Sequence, residues 1–110
     1  MAAKFEIATA KNGQFVFNLK AGNGEVILTS EMYTTKTAAQ NGIASVQKNG
    51  GSDDRFERKE AKNGQHYFVL KAANHQVIGK SQMYKSATSM ESGIKSVMKN
   101  AADAKIEDLT

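Results

Sequence analysis

The chain predicts an α+β protein in which two β-β-β-α units, in tandem, form one antiparallel sheet with both helices packed on one face, related by a pseudo-twofold. Three observations predict it. Lys11 to Asn49 aligns without a gap onto Lys62 to Asn100 at a constant offset of 51, with 21 of 39 positions identical. Within each copy the apolar residues first alternate with a period of two, then recur at three- and four-residue spacing, as strands followed by a helix do. Each copy alone, at about 50 residues, would bury too little surface to be stable, so the two are expected to share one core.

The first two strands of copy one are Phe5-Glu6-Ile7-Ala8-Thr9 and Phe15-Val16-Phe17-Asn18-Leu19-Lys20-Ala21. Between them lies Asn12-Gly13, a strong hairpin signal. A two-residue loop would set Phe5 opposite Lys20 and divide the apolar residues between the two faces. A three-residue loop, Lys11-Asn12-Gly13 with Gly13 left-handed, pairs Phe5 with Leu19 and Ile7 with Phe17. One face then becomes apolar and the other polar, which is the register a half-buried sheet favours. Gly22-Asn23-Gly24 turns the chain into Glu25-Val26-Ile27-Leu28-Thr29, a third strand apolar on both sides, so its facing is open. Its equivalent is Gln76-Val77-Ile78-Gly79-Lys80.

The helices follow. Thr34 or Thr35, and Ser86 in copy two, can cap helices that run to about Asn49 and Asn100. Ala39, Ile43 and Val46, matched by Met90, Ile94 and Val97, form a narrow apolar stripe suited to lying on a sheet. Gly42 and Gly93 sit mid-helix, where Gly costs roughly 1 kcal/mol against Ala; a close approach of each helix to another backbone is the expected reason. The chain is read as a single domain, 1–110, with repeats at 4–49 and 55–100, a linker at 50–54 and a partly frayed acidic tail at 101–110 whose Ile106 and Leu109 can dock. Arg55-Phe56-Glu57-Arg58-Lys59-Glu60, the first strand of copy two, is far more polar than its counterpart and is expected at an edge.

Composition narrows the chemistry. The chain is 40% hydrophobic and 24% charged, with no Pro, Cys or Trp, and its net charge is +4. Without Cys there is no disulfide, thiolate metal site or thiol nucleophile. No apolar run is long enough for a membrane span, and the N-terminus lacks the apolar core of a signal peptide, so the expected compartment is the cytoplasm. A modest Lys excess reads first as a solvated surface and second as a nucleic-acid footprint.

The Lys-Asn-Gly-Gln turn, Phe-x-Leu-Lys-Ala, Ser-x-Met-Tyr and Gly-Ile-x-Ser-Val-x-Lys-Asn, each present twice and in the same order, resemble the YegP-like family (DUF1508, UPF0339) in its duplicated form. The resemblance covers nearly the whole chain. It implies a tandem β3-α fold with one continuous sheet and helices exchanged across the pseudo-twofold, an architecture that single-repeat relatives would reach by dimerising. It brings no catalytic residues, because the family has no assigned activity.

Candidate chemistry is sparse. His75 stands at the turn position of Gly24, and His66 replaces Phe15 at a strand start; neither has a matching His or acidic set that would hold a metal. Tyr33 and Tyr84, with Ser30 and Ser81, stand just before the helices. They read either as a pair of symmetry-related anion pockets at helix N-termini or as packing, with Met32, Met83 and the tyrosines under the helix entry and the serines ending strands. The Asn12/Asn63, Asn23/Asn74 and Asn49/Asn100 pairs suit turns and helix ends. The outward sheet face should carry Val16, Asn18 and Lys20 from one copy and Tyr67, Val69 and Lys71 from the other. Nucleic-acid binding there would need more than one aromatic beside the lysines; a protein partner is the other occupant. No catalytic, metal or cofactor residue is assigned. The chain is expected to be a monomeric, internally pseudo-dimeric, non-enzymatic binding or interaction module, with nucleic-acid binding through the Lys-bearing face as the alternative.

Overall fold

Two turns set the frame of the sheet. In the computed structural model, which describes residues 3–110, Gly13 has φ +81° and Gly64 φ +82°, the left-handed geometry a three-residue loop demands. Asn12 Oδ1 accepts a hydrogen bond from the Gln14 N–H, and Asn63 does the same for Gln65, so the turns are closed by their own side chains. The resulting registers agree with the three-residue loop. β1 (Lys4–Thr9) and β2 (Phe15–Lys20) pair Phe5 with Leu19 and Ile7 with Phe17. In copy two, β4 (Phe56–Glu60) and β5 (His66–Lys71) pair Phe56 with Leu70.

The third strands are β3 (Val26–Ser30) and β6 (Val77–Lys80). Their facing follows from the ladder. Leu28 sits opposite Leu19 on the buried side, whereas Thr29 sits opposite Asn18 and donates to its Oδ1 at 2.8 Å. A bulge beside Lys20 absorbs the run of apolar residues by burying Ile27 as well. The second turn of copy two holds His75 at φ 69°, where copy one has Gly24 at φ +85°.

Helices α1 (Lys36–Asn49) and α2 (Ala87–Asn100) begin at Thr35 and Ser86, whose side chains accept hydrogen bonds from the N–H groups of Ala38 and Ser89. Each helix lies over the central strand of its own copy and the third strand of the other: α1 on β2 and β6, α2 on β5 and β3. Phe5, Phe17, Leu19, Leu28, Ile43, Val46, Phe68, Leu70, Ile94 and Val97 are fully buried between the helices and the sheet. The two copies thus share one core, the arrangement a short repeat requires.

The sheet has seven strands in the order β4-β5-β6-β3-β2-β1-β7. Its centre is the antiparallel join of β3 and β6, where Thr29 pairs with Lys80, its own equivalent, so the pseudo-twofold passes through that pair. Gln82 of the second copy donates to the Val26 carbonyl across the join. Exact symmetry fails beside the axis. A Cβ on Gly79 would come within 2.7 Å of Leu28 Cγ, so the space that Leu28 fills in one copy is left by Gly79 in the other.

Two expectations need correction. The segment 101–110 is not a frayed tail: Lys105–Asp108 forms a seventh strand, β7, paired with β1. The sheet is therefore antiparallel except at this end, because the chain arrives from α2 by a crossover and runs parallel to β1. Its side chains are exposed, including Ile106 and Leu109, so backbone pairing and charge hold it rather than apolar docking. The Lys105 N–H bonds to the Ala3 carbonyl and the Leu109 N–H to that of Ile7, while Lys4 and Lys36 pair with Glu107 and Asp108. The second correction concerns Gly42 and Gly93, which meet aromatic side chains rather than another backbone, as shown below. The polar strand β4 does lie at an edge.

Candidate functional site

The seven candidate residues divide between the two sides of the sheet. Tyr33, Tyr84, Ser30 and Ser81 lie on the helix side. There the ladder between the third strand and its neighbour carries one extra residue: Asn18 pairs with Thr29, and pairing resumes at Phe15 with Tyr33. The skipped Phe17 N–H would be buried and unpaired. Ser30 Oγ accepts from it at 2.9 Å and donates onward to the Glu31 carbonyl at 2.7 Å. Ser81 does the same for Phe68 and Gln82, at 2.9 and 2.8 Å. Both hydroxyls are buried and fully engaged in closing a bulge.

The tyrosine rings are half-buried. Tyr33 stacks on Phe17 with centroids 6.1 Å apart, and Tyr84 on Phe68 at 6.3 Å. Their hydroxyl ends rest over Gly42 and Gly93. A Cβ on Gly42 would lie 2.8 Å from Tyr33 Cζ and 2.9 Å from Phe17 Cε2, and one on Gly93 would lie 2.8 Å from Tyr84 Cζ. Burial, with Glu31 second, pushes the Tyr33 phenol up; burial, with Glu25 second, does so for Tyr84. A phenol held further from ionisation is the reverse of an activated nucleophile or base. The packing reading therefore accounts for the tyrosines and serines, though not for Met32 and Met83, which point to solvent at 53% and 44% exposure. No enclosed pocket is present among the described residues, and none of their His, Asp or Glu side chains form a group of three able to hold a metal.

Lys20, Lys71 and Tyr67 lie together on the other side, which no helix covers. This face is a lattice of paired charges. Lys20 bonds to Glu6 at 2.8 Å and Lys4 reaches the same carboxylate at 3.1 Å; Lys71 and Lys59 share Glu57 in the equivalent place. Lys20 first and Lys4 second hold the Glu6 carboxyl below its usual range, as Lys71 and then Lys59 do for Glu57. Beside these pairs Lys80 Nζ lies 4.9 Å from the Tyr67 ring centroid, a cation–π contact. Val69, beneath them, is only 5% exposed although it points away from the core. Lys80, Glu6 and Glu57 are the residues of this face that repeat motifs alone do not single out; two-residue spacing from Asn18, Lys20 and Lys71 across the ladder is the signal that does.

No helix among the described residues is long and apolar enough to cross a membrane. The domain-of-unknown-function model DUF1508 matches residues 10–57 and 61–108, so the first matched unit ends two residues into β4 and the second at the end of β7. A UPF0339 protein of Acinetobacter baylyi is 59% identical over 110 residues, covering 100% of this chain and 99% of the relative. The UPF0339 protein YegP of Escherichia coli K12 is 56% identical over 110 residues and 100% of both chains. Among solved structures, the solution NMR structure of E. coli yegP, described as a protein of unknown function, superposes with a TM-score of 0.94 at 55% identity, covering 100% of this chain and 95% of that one. The solution NMR structure of a UPF0339 protein from Shewanella oneidensis gives 0.93, also at 55% identity, with 100% and 93% covered.

Proposed function

The chain belongs to the DUF1508 (UPF0339) family, and we propose that it serves there as a non-enzymatic binding module whose docking surface is the uncovered face of the sheet. The observation that supports this most is the sidedness of the molecule: both helices lie on one face, and the other face presents Tyr67, Lys80 and the Thr29–Asn18 pair around the pseudo-twofold. A protein partner suits that chemistry, since an aromatic–cation centre rimmed by polar groups is the usual anatomy of a modest interface. The engaged serines and the raised phenols weigh against catalysis on the helix side.

Nucleic acid fits this face less well. Phosphate binding needs cations free to replace condensed counterions, whereas Lys20 and Lys71 already serve Glu6 and Glu57. One aromatic ring also makes a poor stacking platform. The test is an affinity capture from cell lysate, with and without nuclease, comparing the wild-type protein with Tyr67→Glu and with the Lys20→Ala/Lys71→Ala double variant. A protein captured despite nuclease and lost with Tyr67→Glu is the expected result. Capture that vanishes with nuclease and with the double lysine variant would replace this reading with the nucleic-acid one.

A further inference from the structure

The two ends of the sheet are built alike and finished differently. At one end β1 carries β7 as a parallel strand, with Lys4 beside Lys105, Phe5 beside Ile106, Glu6 beside Glu107 and Ile7 beside Asp108. At the other end β4 is the outermost strand. β4 stands to β5 as β1 stands to β2, since Phe56↔Leu70 repeats Phe5↔Leu19 at the offset of 51. From Phe56 onward the outer edge of β4 therefore repeats the backbone directions of the edge on which β7 sits, and no strand lies beside it; ahead of it Asp53–Arg55 form a 3-10 turn, and the Asp53 carbonyl takes the Phe56 N–H.

We propose that the β4 edge is a docking seat for an extended segment of a partner protein, entering parallel to β4, in which an apolar residue is followed by two carboxylates. The way β7 is held on β1 supplies the recognition chemistry. Ile106 lies beside Phe5, Glu107 pairs with Lys4 at 3.1 Å, and the backbone is fixed by Lys105 N–H to Ala3 and Leu109 N–H to Ile7. Moved by 51 residues, the seat offers Phe56 for Phe5 and, in the turn that leads into β4 rather than on the strand itself, Arg55 for Lys4. The first carboxylate of the incoming strand meets Arg55, and the apolar residue extends the contact of Phe56, itself only 6% exposed.

Arg58 is where the two seats differ, and it sets selectivity. It replaces Ile7 on the helix side of the edge. Its guanidinium is held by Glu91 at 2.6 and 3.0 Å and by Asp53 at 2.8 Å, with the side chain one-third exposed (34%). A charge pointing inward at a sheet edge rejects a purely apolar strand, while a second carboxylate on the incoming strand can share the guanidinium. Attraction and rejection at one residue are how an edge chooses its strand. This seat is separate from the uncovered face and stands or falls independently of it.

The probe is the chain's own C-terminal sequence as an acetylated peptide, residues 104–110, titrated into the full-length protein labelled with nitrogen-15. Amide shifts confined to Arg55–Glu60 and Glu91 are expected. Arg55→Glu should weaken the interaction by about tenfold or more, Glu91→Gln should strengthen it by releasing Arg58, and a peptide carrying Glu107→Lys and Asp108→Lys should produce no shifts. The charge-reversed peptide keeps the test decisive should a variant fold poorly. Three results overturn the proposal: no shifts, shifts on Lys4–Thr9 through exchange with the resident strand, or β4 shifts that depend on protein concentration without peptide, which would make the occupant a second copy.

Discussion

Gly42 and Gly93 carry the same cost at the same place in both helices, and the reason lies in the rings beneath them. A helix laid over Phe17 and Tyr33 reaches its packing distance only if nothing projects toward the ring pair. Alanine at that position would gain about 1 kcal/mol of helix propensity. It would also drive a methyl group into Tyr33 Cζ and Phe17 Cε2, and overpacking of this kind costs about 1–3 kcal/mol. The clash involves two stacked rings that are tied to the core, so it is expected to win. Gly42→Ala should therefore lower stability by up to about 2 kcal/mol, and Gly93→Ala, with its roomier 3.2 Å approach to Phe68 Cε2, by somewhat less. Thermal denaturation checks both; an unchanged or raised melting temperature in either variant would mean the tyrosine ring swings away freely. Repetition of the glycine in the sequence is enough to mark a close approach, but not to identify what approaches, because the tyrosine is nine residues away and reaches the helix only through the bulge that Ser30 closes.

Among the elements, the strands whose apolar residues alternate were the legible ones. Phe5, Ile7, Phe17 and Leu19 share a face only in registers that differ from the observed one by an even number of residues, the three-residue turn selects among these, and the edge position of β4 follows from Arg58 and Lys59. β3 was ambiguous because Ile27 and Leu28 are both buried, and only a bulge makes that possible. β7 is hard to read from sequence because four residues of mostly charged sequence have no periodicity. One trace exists: Lys105-Ile106-Glu107 repeats the basic–apolar–Glu order of Lys4-Phe5-Glu6 and Arg55-Phe56-Glu57. Since β7 buries little, its hold on β1 should respond to pH. Lys36 first and Thr110 second draw the Asp108 carboxyl from its ordinary 3.8 down to about 2. A carboxyl with a lowered folded-state value binds its proton more weakly when folded, so it stabilises fully above the unfolded value. That contribution fades as pH falls from about 4 and is gone below about 2. Hydrogen-exchange protection of the Leu109 amide, bonded to the Ile7 carbonyl, should drop over that window before the core amides of β2 and β5 do. Simultaneous loss of all of them would show that β7 does not open by itself. Asp108→Asn should bring the same local opening at neutral pH.

At the scale of the whole molecule, the duplication is a way of completing two halves that are each insufficient. The β3–β6 join supplies only a short stretch of backbone pairing, Thr29 with Lys80 and Ser30 with Gly79. Most of the cohesion must come from the crossing of the helices: α1 reaches β6 and β5, and α2 covers β3. Remove one copy and Leu28, fully buried beside Gly79, loses its roof along with its neighbour. The first copy would also lose β7 from its edge. A chain cut in the linker at Gly51, where nothing crowds the backbone, tests how far this goes. Fragments 1–51 and 52–110 should each be largely unfolded alone, since chains of this size bury too little apolar surface. Mixed in equal amounts they should regain helical and sheet circular dichroism, with a melting temperature that rises with concentration because folding and association are then one equilibrium. The asymmetry at the axis adds a condition. Two copies of the first fragment would bring Leu28 against Leu28 where the native join has Leu28 against Gly79, so the pairing should be one of each kind. A first fragment that folds and dimerises unaided would show that the axis tolerates two leucines, and that Gly79 is an accident of divergence rather than the fit that holds the halves in register.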